Sequence, residues 1–204
     1  MMKKNIIITG VSRGLGKYIR DNLEKNNNIY GISKKLKLVK GDYLMDLSNE
    51  KSVNSFFKNL KKKKIKIHGM ILVAGDRLKN NNNYISKKDF EKMINNNFIS
   101  STNMIENYVK VYKKFSQNTK IVVISSICGV QDINAPVPFS ISKAALNFYC
   151  NMKSKILAKK YNILLNVISP GNIIQKGNLW DKKIKKDKKK ILKFLNTNVA
   201  LEKF

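Results

Sequence analysis

A chain of 204 residues with 43% apolar content is long enough for one globular domain, and 41 Lys plus Arg against 13 Asp plus Glu leave a net charge of +28 and a pI near 10.1. No apolar run approaches the roughly 20 residues that span a bilayer, and the apolar stretch of MMKKNIIITG is too short for a signal peptide, so a cytoplasmic chain without a membrane partner is expected. Cys128 and Cys150 form no CxxC pair and His68 is the sole histidine, a pattern that suggests neither a disulfide framework nor a zinc site.

Such a charge invites a nucleic-acid reading. Yet Arg, the residue suited to bidentate recognition of phosphates and base edges, is scarce. The lysines come with asparagine runs at 26–28, 80–83 and 95–97, as A/T-rich coding produces, and a nucleic-acid partner is not expected. Two denser runs, KKKK at 61–64 and KKIKKDKKK at 182–190, remain candidates for an acidic partner.

In chain order, the first strand is read at Asn5 to Thr9 and runs into TGVSRGLG and a helix from near Gly14. A strand, a glycine-rich turn and a helix N-terminus make a phosphate cradle: Gly10 permits the turn, and Gly14 and Gly16 let backbone approach a ligand. A second strand follows at Ile29 to Ser33 and a third at Tyr43 to Asp46, separated by KKLKLVKGD, too short for a crossover helix. Ser48 is placed to cap a helix carrying Val53, Phe56, Phe57 and Leu60 on one face. After a fourth strand at His68 to Ala74, with His68 structural, Ser86 and Asp89 resemble a capping box opening one helix through Phe90, Met93, Ile94, Phe98 and Ile105. A fifth strand at Lys120 to Ser125, a long helix from about Val137 to Tyr161 and a sixth strand at Ile163 to Ser169 complete the pattern. Alternating strands and helices, the longer strands apolar on both faces, predict an α/β fold: a doubly wound, Rossmann-like parallel sheet of about six strands with helices on both faces, in one domain over 1–204.

The glycines are spaced G-x-x-x-G-x-G, and with LVAG at 72–75, Asn97 in INNNF, ISSICG at 124–129, FSISK at 139–143 and SPG at 169–171 the chain resembles the short-chain dehydrogenase/reductase family over nearly its whole length. The resemblance implies an NAD(P)-dependent oxidoreductase acting on a small carbonyl or alcohol substrate. It places Gly10, Ser12, Arg13, Gly14, Leu15 and Gly16 at the cofactor phosphates, Asp46 and Leu47 at the adenine, Ala74 and Gly75 in the turn after the fourth strand, and Pro170 and Gly171 at the nicotinamide. Leu72 and Val73 stand where the family carries asparagines. For chemistry it assigns Ser126 to polarise the substrate oxygen, Lys143 to hold the nicotinamide ribose and Asn97 to position a water.

The family's motif is YxxxK, and the position of its tyrosine is Phe139. Phe139 and Lys143 share a helix face one turn apart, but a phenyl ring neither donates nor accepts a proton. Two further YxxxK strings, Tyr149 with Lys153 and Tyr84 with Lys88, are read as chance repetition: Tyr149 lies ten residues on, about 15 Å along the helix. Where NAD-preferring members end the second strand with an acid, this chain has Ser33, Lys34 and Lys35, and with Arg13 the set implies NADP(H) over NAD(H) through a clamp on the 2′-phosphate.

The resemblance also implies a basic substrate lid over 172–195, with Trp180, Leu192 and Leu195 as apolar contacts and Gln175 near the carboxamide, and it makes an anionic substrate compatible. Relatives continue beyond ALEKF through another helix and a seventh strand that complete the sheet and often a homo-oligomer interface, so an exposed sheet edge is expected. Cys128 is read as a small apolar filler near Ser126. Two functions are left open: an oxidoreductase, impaired or not, and a catalytically silent NADP(H)-binding homologue acting as a sensor or partner subunit.

Overall fold

The computed structural model describes residues 2–35, 41–78, 85–113, 118–174 and 179–199. Six strands form one parallel sheet: β1 (Lys4–Thr9), β2 (Asn27–Ser33), β3 (Tyr43–Leu44), β4 (Gly69–Leu72), β5 (Thr119–Ile124) and β6 (Ile163–Ile168), in the order β3-β2-β1-β4-β5-β6. Strand order reverses at β1, so a crevice opens at the carboxyl ends of β1 and β4, the place where open α/β sheets bind ligands. Ile7 and Ile8 point to opposite faces of β1 and both are fully buried, because helices cover both sides of the sheet.

On one face lies α1 (Gly14–Leu23); on the other, α2 (Glu50–Lys62), α4 (Ser100–Tyr112) and α5 (Val137–Tyr161) pack side by side. Val53, Phe56, Phe57 and Leu60 of α2 are buried, as their spacing predicts, and Phe57 meets Tyr108 and Tyr112 of α4 at centroid distances of 5.7 and 6.3 Å. Asn49, not Ser48, caps α2: its side chain accepts from the Ser52 N–H at 3.1 Å. Ser48 is drawn away because both its N–H and its hydroxyl donate to Asp46 Oδ1, at 3.0 and 2.8 Å.

The helix expected from Ser86 is broken into three pieces. Ser86 does cap α3 (Lys87–Met93), accepting from the Asp89 N–H at 3.1 Å, but a π-helical stretch, Ile94–Ile99, separates α3 from α4. Such bulges insert an extra residue into a helical ladder and are frequent at functional sites. Here the insertion contains INNNF.

β3 and β4 end two residues sooner than their apolar runs suggest, and β5 and β6 end one residue sooner. After β4 the cause is visible: the Val73 and Ala74 N–H groups both donate to Thr9 Oγ1 at 3.0 Å rather than to a neighbouring strand. β6 departs from the expected two-sided burial. Among the described residues it is an edge, and Leu164, Val167 and Ile168 are exposed. A second compact unit begins at Pro170 and contains α6 (Leu179–Lys186) and α7 (Lys188–Asn198). Asp187 caps α7, Ile191 and Leu195 are buried, and Trp180 lies 5.3 Å from Phe194, whereas Leu192, expected as a contact, is exposed. Among the described residues no helix is long and apolar enough to cross a membrane.

Candidate active site

At the end of β1 the backbone folds back so tightly that side chains are excluded. A Cβ on Gly16 would lie 2.3 Å from the Gly10 carbonyl oxygen, and Gly10 itself has φ +75 with Ala74 backbone 3.0 Å from its Cβ position. Both glycines are therefore required by geometry. Beyond this turn α1 begins at Gly14 after Arg13, whose side chain makes no capping bond. The first-turn N–H groups, left without a side-chain cap, carry the positive end of the helix dipole, which suits a dinucleotide's phosphates. Ser12 and Leu15 belong to the same turn, half-buried, so the residues present fit a dinucleotide cofactor.

Across β2, Ser33 is buried and Lys34 reaches Asp46 at 2.6 Å. Burial works to raise the Asp46 carboxyl, but hydrogen bonds from Lys34 and Ser48 outweigh it and hold it below the usual range. Lys34 is thus already engaged with the residue assigned to the adenine. Arg13 is exposed and makes no ion pair among the described residues. Leu47 is buried in the core behind Asp46.

The second half of the site is knotted together at Asn97. Of the three consecutive asparagines only Asn97 is fully buried: its Oδ1 accepts from the Asp76 N–H at 2.8 Å and its Nδ2 donates to Ser142 Oγ at 3.0 Å. Gly75 lies against it, where a Cβ would sit 2.7 Å from Asn97 Oδ1 and 3.7 Å from Lys143 Nζ. Ser142 in turn donates to the Phe139 carbonyl at 2.7 Å. Asn97, Gly75, Ser142, Lys143 and Phe139 therefore meet at one place, built from the π stretch, the turn after β4 and the start of α5.

Lys143 is buried with its Nζ donating to the Ile124 carbonyl at 3.0 Å and standing 5.9 Å from the centre of the Phe139 ring. Burial lowers its pKa from 10.5 to about 8, with proximity to Cys128 opposing the shift. Ser126 opens a short 3₁₀ turn, Ile127–Gly129, that packs onto α5; a Cβ on Gly129 would fall 2.6 Å from the Lys143 carbonyl carbon. The Cys128 thiol donates to Ser126 Oγ at 3.2 Å, so the reading of Cys128 as an inert filler is incomplete. Thr9, Ser142 and Gly129 escaped the sequence reading, although FSISK and ISSICG contain two of them.

Tyr149 offers no replacement phenol. It donates to Glu106 at 2.6 Å, Lys153 pairs with the same carboxylate at 2.6 Å, and burial with that carboxylate pushes the phenol above its usual range. His68 accepts from the Asn5 N–H at 3.0 Å, consistent with a structural role. Pro170 and Gly171 belong to the second unit, and Tyr84 and Gln175 lie outside the described residues. Among the described residues no cluster of His, Cys, Asp or Glu is arranged to hold a metal.

Residues 4–183 match the family model described as short chain dehydrogenase. The chain belongs to the short-chain dehydrogenase family. It is a member, then, of a family of NAD(P)-dependent oxidoreductases. Over 185 residues it is 29% identical to the 3-oxoacyl-acyl-carrier-protein reductase FabG of Buchnera aphidicola subsp. Schizaphis graminum, covering 84% of this chain and 74% of that one. An uncharacterised oxidoreductase of Saccharomyces cerevisiae is 32% identical over 162 residues, 72% of this chain and 63% of its own length. Among solved structures, a Tyr-to-Phe variant of ElxO with NADPH bound superimposes with a TM-score of 0.86 at 24% identity, over 100% of this chain and 86% of that one. A 4-hydroxyisoleucine dehydrogenase complexed with NADH gives 0.82 at 23% identity, over 99% and 84%. These likenesses in structure establish the short-chain dehydrogenase fold.

Proposed function

We propose that this chain is an NADP(H)-dependent reductase of a small carbonyl substrate, slowed by Phe139. The observation that carries the reading is the knot at Asn97, where a buried lysine, an asparagine with both amide ends used and a glycine are held together. A side chain released from catalysis has no need of that arrangement. The glycine turn would hold the phosphates, Asp46 and Leu47 the adenine end, and Ala74 and Gly75 the nicotinamide end. NADP(H) is favoured over NAD(H) because β2 ends in Ser33 and Lys34 rather than an acid and Arg13 is an exposed cation beside the glycine turn, a 2′-phosphate competing with Asp46 for Lys34. When bound, the nicotinamide supplies hydride.

Lys143 has donors beyond the one on Ile124, and these suit ribose hydroxyls. Ser126 would donate its proton to the developing alkoxide. With no phenol beside it, Ser126 would take a replacement proton from the Cys128 thiol, which already donates to Ser126 Oγ, and water would return that proton after product leaves. That route supports turnover but is inferior to a directly placed acid, whose loss typically costs about 10²- to 10⁴-fold. The first substrates to try are 3-oxoacyl thioesters, the class named in the reductase relative.

The test is NADPH-dependent reduction of an acetoacetyl thioester by wild type and by Cys128→Ala. Turnover that falls about tenfold or more in the variant, with an unchanged NADPH Kd, is expected. No reduction of any 3-oxoacyl thioester or simple ketone despite tight NADPH binding would instead favour the second reading, a silent NADP(H)-binding sensor or partner subunit, which Phe139 supports. An outward apolar face on α5, with Ile141, Phe148, Met152 and Ile156 exposed, further supports a homo-oligomer. Phe148→Glu is expected to shift the protein to a smaller species by sedimentation.

A further inference from the structure

The KKKK run at 61–64 takes no part in the cofactor cleft. Its first two lysines fall on the side of α2 that faces α4, where Asn54, Lys58, Lys61 and Lys62 from one helix and Lys110 and Val111 from the other line a groove of about 510 Å³. The spacing of four, three and one puts the α2 residues on one stripe. Asn54 Nδ2 donates to Asn107 Oδ1 at 2.8 Å, and Lys61 Nζ donates to the Val111 carbonyl at 3.0 Å.

The Lys61 bond has an ordinary structural purpose, since a cation at a helix C-terminus satisfies a carbonyl and complements the dipole. Lys58, Lys62 and Lys110 are left over. All three are exposed, and among the described residues none forms an ion pair. Carboxylates are scarce in this chain, and they serve cations elsewhere: Asp46 meets Lys34, Asp76 meets Lys92, and Glu106 meets Lys153. Three ammonium groups around one concavity, with no carboxylate in its lining among the described residues, repel one another, and an anion between them relieves that repulsion.

Position separates this groove from the cofactor cleft. α2 leads into β4 and α4 into β5, so the C-terminal ends of both helices lie at the edge of the sheet where strands begin. The glycine turn and Ser126 lie at the opposite edge, where β1 and β5 end. A ligand in the groove is not the phosphate of the cofactor.

We propose that this groove binds a compact polyanion, a small molecule carrying at least two phosphate groups. The volume falls within the range of small-ligand sites, about 300–1,000 Å³. Val111 and the lysine stems give the floor an apolar surface for the body of such a molecule, while the three ammonium heads meet its phosphates as point charges. A single-stranded nucleic acid fits less well, because among the described residues no aromatic side chain lines the groove for bases to stack upon.

The experiment is calorimetric titration of the full chain with sodium tripolyphosphate at about 0.15 M salt, with and without saturating NADPH. Two triple variants are compared: Lys58→Ala/Lys62→Ala/Lys110→Ala in the groove, and Lys155→Ala/Lys159→Ala/Lys160→Ala at the far end of α5. Both remove three exposed helical lysines and both retain Lys61, so helix content by circular dichroism serves as the folding control. One saturable site is expected, unaffected by NADPH, weakened at least tenfold in the groove variant and unchanged in the other. Equal weakening in both variants would assign the binding to diffuse charge and overturn the proposal. Displacement by NADPH would assign it to the cofactor cleft, and absence of a saturable site would overturn it outright.

Discussion

Around Gly16 the chain has no slack: a single added methyl group would lie 2.3 Å from the Gly10 carbonyl oxygen. Around Phe139, four helical residues before Lys143, the packing is looser and the decisive group is missing. The ring is half-buried, and the Lys143 ammonium stands 5.9 Å from its centre. In the proposed function both regions belong to one cleft, one of them complete and the other short of a phenol oxygen. The difference teaches that holding a dinucleotide and transferring a proton are separable tasks. The first depends on backbone that tolerates no substitution, the second on a side-chain atom that can be lost without disturbing the fold.

The comparison can be broken most severely at the glycine turn. Gly16→Ala is expected to abolish NADPH binding and lower the melting temperature, because overpacking against backbone costs about 1–3 kcal/mol and displaces the helix N-terminus. Retained binding in that variant would mean the turn is not the phosphate cradle.

A smaller effect is expected from Lys143, through pH. Burial holds its folded pKa at about 8 against 10.5, so below pH 8 both folded and unfolded chains keep the proton and the cost of the buried ammonium is present in full. Between these values the folded lysine is deprotonated and the unfolded one is not. The unfolded state then binds more protons, and stability rises with pH. Relative to Lys143→Met, wild type should gain up to about 3 kcal/mol over this window in urea unfolding. A flat difference would show that Lys143 is not desolvated. The smallest change is expected at Arg13, where Arg13→Ala should weaken NADPH about tenfold and leave NADH unchanged, sharpening the assignment of the 2′-phosphate clamp. Equal weakening of both nucleotides would remove it.

Most of the scaffold was legible because it rests on local patterns. Apolar runs marked all six strands, and TGVSRGLG marked the turn, since a cradle needs glycine at fixed spacing. Contacts between distant segments were not legible. Leu72 and Val73 replace asparagines, and only the fold shows Thr9, more than 60 residues away, binding the two N–H groups that follow β4. Nor does helical periodicity reveal a π stretch, because one extra residue leaves the apolar pattern of Phe90 to Ile105 nearly intact. It nevertheless decides which asparagine of INNNF turns inward. Ser48 was expected to cap α2, and Asp46 diverts it by accepting from both its N–H and its hydroxyl, which leaves the cap to Asn49. The contact between Cys128 and Ser126 depends on the 3₁₀ turn between them, which ISSICG alone does not specify.

In the proposed function the cleft binds the nucleotide and lacks only an acid. That claim is tested most directly by measuring NADPH affinity and carbonyl reduction for wild type and Phe139→Tyr side by side. Matching dissociation constants with turnover raised about 10²- to 10⁴-fold in the tyrosine variant are the predicted result. A tyrosine variant that binds NADPH as wild type does and turns over no faster would contradict the claim, as would a wild type that does not bind NADPH.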